Sequence, residues 1–74
     1  MDILDELNTE YQIKVENNIA YDLQDKENII ATNKQELVGF YIDSYKYKIE
    51  CLFDDETETK EHYKNIIKQL EKLV

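Results

Sequence analysis

The sequence predicts an α+β domain: an antiparallel sheet of three to five strands, a short N-terminal helix, and a long C-terminal amphipathic helix packed on one face. Three observations predict it. Two alternating runs meet at Asn17-Asn18, tyrosines alternate with charged residues from residue 45, and apolar residues near the C-terminus recur at helical spacing.

Residues 2–10, DILDELNTE, place Ile3, Leu4 and Leu7 on one helical face and Asp2, Asp5, Glu6 and Glu10 on others, with Asp2 suited to cap. So short a helix is marginal until it docks. YQIKVE then puts Tyr11, Ile13 and Val15 on one side, and IAYDL puts Ile19, Tyr21 and Leu23 on one side. Asparagine tolerates positive φ, so Asn17-Asn18 reads as a tight hairpin turn. QDKEN is a polar connection to IIAT, and residues 28–38 read either as a strand or as one poor helix.

LVGFYID sets Val38, Phe40 and Ile42 on one face and Gly39 and Tyr41 on the other, a strand in which glycine marks a bulge or bend. YKYKIECLF alternates more cleanly, with Tyr45, Tyr47, Ile49, Cys51 and Phe53 opposite Lys46, Lys48 and Glu50. The joint at Asp43-Ser44 makes these two runs an antiparallel pair. The closing segment carries Tyr63, Ile66, Ile67, Leu70 and Leu73 on one helical face. At ~1.5 Å per residue, a helix of about 18 residues covers one face of a small sheet.

The 74 residues make one domain, 1–74. A chain this small draws only about 3–5 kcal/mol from its core, which leaves little room for an enclosed active site. The expectation is a non-enzymatic interaction protein without cofactor. Cys51 is the only cysteine and fits a reducing cytoplasm. The start is acidic and the longest apolar run, LVGFYI, is far below the roughly 20 residues that span a bilayer, so no membrane association is expected. All nine cations are lysine and the net charge is -8, so direct binding of nucleic acid is opposed by repulsion.

The most acidic stretch is CLFDDETETKE, residues 51–61. Asp54 or Asp55 can cap the closing helix, and Asp55 with Glu58 has the outline of a capping box. That uses two or three of its acids and leaves the rest. A calcium loop with ligands Asp54, Glu56 and Glu58 fails at its sixth and twelfth positions, occupied by Thr59 and Asn65, so no metal is expected. His62 reads as solvated, Cys51 as core and Ser44 as a turn residue. Residues 1–59 carry 15 acids against five lysines, whereas residues 60–74 carry four lysines against two glutamates. Lys60, Lys64, Lys68 and Lys72 form a cationic stripe on the closing helix. Carboxylates spaced i, i+4 on a helix lie about 6 Å apart along the axis, and DNA strands carry one phosphate per ~3.4 Å. Acidic rows of that kind fit grooves built for phosphates.

In size, acidity, lysine-only cations and element order, the chain resembles small phage-encoded inhibitors of the anti-CRISPR type. MDILDELNTE leading into a hairpin and YKYKIECLFDDETETKEHY leading into the closing helix carry the resemblance. It implies stoichiometric binding to a CRISPR-Cas effector in the cytoplasm of a bacterial host, at a channel that reads the PAM or holds the guide, with no chemistry. The contact residues expected on that basis are Asp54, Asp55, Glu56 and Glu58, followed by Asp43, Asp22 and Asp25. Tyr41 is either an exposed aromatic anchor or a packing residue beneath the first helix. The alternative is an interaction module or accessory subunit, a homodimer included, whose acidity serves solubility alone.

Overall fold

The computed structural model describes residues 2–74 and has the order α1 (Ile3–Glu10), β1 (Ile13–Glu16), β2 (Ile19–Asp22), β3 (Asp25–Ala31), α2 (Lys34–Glu50) and α3 (Thr57–Glu71). The α+β class holds, with one three-stranded antiparallel sheet in the order β1-β2-β3. Asp2 caps α1 by accepting from the Asp5 amide at 2.9 Å. Gln12, at φ 56°, then turns the chain into β1. Asn17 and Asn18 both have positive φ, 52° and 68°, as a two-residue hairpin requires.

The register pairs Ile13 with Asp22 and Val15 with Ala20, so those residues share a face. That face is the inner one, where Ile13, Ala20 and Ala31 join the core. The row Ile19, Tyr21, Leu23, which the sequence placed together on one side, is on the opposite face, where Tyr21 alone is buried. Ile19 and Leu23 are exposed, and Tyr21 pairs with Ile29 across a bulged β2–β3 ladder. The physical reason is close approach: Ala20 and Ala31, paired across the ladder, leave space for the helical layer.

The largest correction concerns residues 37–53. Residues 37–43 and 45–53 read as paired strands from the sequence, yet Lys34–Glu50 form one continuous helix. The Asn33 side chain accepts from the Glu36 amide at 2.8 Å, and the Glu36 carboxylate accepts in return from the Asn33 side-chain amide at 3.1 Å. This cap starts the helix immediately after β3. Leu37, Tyr41 and Tyr45 then recur every four residues on the buried side, with Val38 beside them. Asp43-Ser44 is mid-helix, not a turn, and the Ser44 hydroxyl donates to the Phe40 carbonyl at 2.9 Å.

The C-terminal helix also differs from expectation. It is the second of two, and it forms a hairpin with α2 while also contacting α1, whereas α2 is the helix that contacts β3. Leu70, fully buried, sits in the shared core with Ile66 and Ile67. No helix of the described residues is long and apolar enough to cross a membrane.

Candidate partner-binding surface

Residues 51–56 connect α2 to α3, and Asp54, Asp55 and Glu56 are all exposed there. The expected capping box is not made. Glu56 occupies the cap position of α3 without a side-chain hydrogen bond to it. Its carboxylate turns back instead and accepts from the Phe53 amide at 2.9 Å, closing the connection on itself. Asp54 lies 3.9 Å from Lys60, a distance worth little at an exposed site. Asp55 enters no ion pair among the described residues.

Glu58 stands in the first turn of α3 and joins a set that the sequence did not bring together. It lines an open cavity of about 400 Å³ with Glu10 of α1, His62, and the tyrosines 11, 45 and 63. The neighbouring cleft between α1 and α3 contains Glu6, Glu10 and His62. Glu6 and Glu10 are one turn apart on α1, and Glu58 and His62 one turn apart on α3; Glu10 and His62 line both hollows, Glu58 the cavity and Glu6 the neighbouring cleft. Those two spacings were the available signal. Lys60 is about 200° around the helix from His62, which directs the lysine stripe away from both hollows.

Above the same cavity Lys48 is held by aromatic rings. Its ammonium lies 4.8 Å from the Tyr11 ring centroid, 4.7 Å from Tyr45 and 5.9 Å from Tyr63, and donates to the Tyr11 hydroxyl. The Tyr11 and Tyr45 hydroxyls are 3.1 Å apart. Burial, followed by hydrogen bonding to Tyr11, holds the Tyr45 phenol above its usual pKa. Lysine and tyrosines thus lock α1, α2 and α3 together.

The remaining expected contact residues are dispersed. Asp22 and Asp25 flank the β2–β3 turn and accept from the amides of Gln24 and Glu27 at 2.9 and 3.1 Å. Asp22 also lines a cavity of about 540 Å³ with Tyr11, Ile30, Phe40 and Lys48. Asp43 is exposed on the outer side of α2. Tyr41 is no anchor: it is 1% exposed, and its hydroxyl donates to the Asn8 side-chain oxygen at 2.7 Å. Burial raises its phenol pKa, so the packing alternative under α1 is the one realised. Cys51, expected in the core, is exposed. Beside it, Tyr47 has its phenol pKa raised chiefly by side-chain hydrogen bonding with that thiol.

No protein-family model, curated protein or solved structure matches the chain.

Proposed function

We propose that the chain is a non-enzymatic inhibitor that binds a nucleic-acid-binding enzyme, a CRISPR-Cas effector, through acidic surface that takes the place of DNA. One observation carries this reading. Of the 17 carboxylates, three enter ion pairs among the described residues, which leaves fourteen without one, and none of the 17 is buried. Such surface charge raises self-repulsion in the fold and favours a cationic partner.

The 51–56 connection, with Glu58 and Glu10 beyond it, is the part suited to a site that reads phosphates or a PAM. Arginines that grip guanine edges and backbone phosphates accept carboxylates with the same paired geometry. Binding releases counterions as DNA would, so affinity falls steeply with salt. Asp54 and Asp55 lead because neither is used to cap α3. Asp43 contributes from α2, Asp22 and Asp25 from the far turn, and Tyr41 drops out.

The test is inhibition of target-DNA cleavage by a panel of guide-loaded Cas9-type effectors, with wild type and D54K/D55K. Glu56 is spared because it closes the connection. Wild type should inhibit an effector and compete with its PAM-containing duplex, and the variant should lose at least a hundredfold in potency with its circular dichroism unchanged. Equal potency of the two proteins would overturn the assignment.

A further inference from the structure

The helix α2 buries one apolar side and exposes a second side on which aromatic rings alternate with carboxylates. Leu37, Val38, Tyr41 and Tyr45 face the core. Glu36, Phe40, Asp43, Tyr47 and Glu50, spaced three or four residues apart, run along the other side, and all five are exposed. Phe53 follows in the connection just past the end of the helix and is exposed as well. Tyr47 is 68% exposed and Phe53 76%, whereas Phe40, 42% exposed, also packs on Tyr41 at the edge of the cavity of about 540 Å³. Isolated exposed apolar residues are ordinary, but aromatics aligned with carboxylates between them have the make-up of an interface centre.

We propose that this outer face of α2 is a docking surface that lies in a basic groove of the partner, with Tyr47 and Phe53 as its anchors. The inference rests on the inhibitor reading for the partner's chemistry and adds the surface that binds it. Charge selects the occupant. The row has three carboxylates, and Lys46 is the cation flanking them on the outer side. A second copy laid on it would set carboxylates against carboxylates, whereas a groove lined by lysine and arginine is complementary. Glu36, Asp43 and Glu50 recur every seven residues, about 10.5 Å along the axis, close to three phosphate steps of ~3.4 Å. A groove shaped for a polyanion therefore meets charge at a spacing it already accommodates. Apolar sockets between its cations would receive the rings, as in helix-in-groove recognition.

Cys51 provides a native reporter, because it is exposed, follows Tyr47 by one helical turn and is the only thiol in the chain. The experiment measures the rate of Cys51 alkylation by a small maleimide, free and in complex with the inhibited, guide-loaded effector. It also measures the affinity of Y47A/F53A for that effector. Alkylation should slow at least tenfold in the complex, and the double variant should bind about a thousandfold more weakly, roughly thirtyfold per anchor. Because both rings are exposed, the variant should keep its melting temperature. A complex that Y47A/F53A joins with wild-type affinity would overturn the docking face and leave the inhibitor reading intact, whereas Cys51 reacting at its free rate in the complex would count against both, since it belongs to the 51–56 connection. Failure of wild type to bind any effector in the panel would overturn both.

Discussion

Gly39 tests the architecture most directly, because it lies in the segment whose local pattern favours a strand and whose structure is a helix. It is the sixth residue of α2, and a Cβ built on it meets no atom within 4 Å. Its φ lies outside the left-handed range, so the backbone imposes no need for glycine. Replacing glycine by alanine inside a helix is worth about 0.8–1 kcal/mol, and valine recovers only about 0.3–0.4 kcal/mol because its branched Cβ is restricted by the preceding turn. In a domain of this size, about 1 kcal/mol moves the melting temperature by roughly 4–8 °C. Gly39→Ala should therefore melt about 4–8 °C above wild type, and Gly39→Val between the two, followed by circular dichroism at 222 nm. A strand reverses the order, since β-branched residues outrank alanine there. Valine melting at or above alanine would refute the helix and every placement on α2 derived from it.

Two further predictions concern the tyrosines. Tyr41 and Tyr45 both have phenol pKa values raised by burial above the ordinary tyrosine value of about 10. A raised folded-state pKa contributes stability that is complete below the unfolded value and is lost as pH climbs toward the folded one. The urea midpoint should accordingly hold to about pH 10 and fall above it, less steeply in Y41F/Y45F; equal slopes in the two proteins would count against buried, neutral phenols. Lys48→Met should cost about 1 kcal/mol, or 4–8 °C of melting temperature, by removing the ammonium from the Tyr11 and Tyr45 rings. An unchanged melt would mean that the three helices are held without it.

Much of the fold was legible where one short-range signal settled each element. Asp2 ahead of Ile3, Leu4 and Leu7 specified α1, and Asn17-Asn18 specified the hairpin, because capping and positive φ are local requirements. The middle of the chain failed for a physical reason. Val38, Phe40 and Ile42, followed by Tyr45, Tyr47 and Ile49, satisfy a period of two, while Leu37, Tyr41 and Tyr45 satisfy a period of four in the same residues. Aromatic and β-branched side chains weighted the first pattern. What decides for the helix is Asn33 with Glu36, a cap placed just before the segment, and tertiary burial of Tyr41 and Tyr45 against α1 and α3. Once α2 is a helix, residues expected on two faces of a strand are redistributed. Tyr41 moves inside, and Phe40, Tyr47, Cys51 and Phe53 move out.

The acidic connection is not spent on stability in this chain. A side-chain cap does form at Asn33 and Glu36, where the Asn33 side chain accepts from the Glu36 amide and its own side-chain amide donates to the Glu36 carboxylate. No capping box forms at Asp55 and Glu58, where the spacing offered one, and among the described residues Asp55 has no hydrogen bond or ion pair to lose. At a net charge of -8, each unpaired carboxylate adds to self-repulsion in the folded state. D54K/D55K should therefore melt no lower than wild type, and at low salt somewhat higher, whatever its effect on the proposed inhibition. The same comparison in about 1 M salt should abolish the difference, since screening shortens the reach of the charges to ~3 Å. A clear fall in melting temperature would make the acids part of the scaffold, and their charge would then need no partner to explain it.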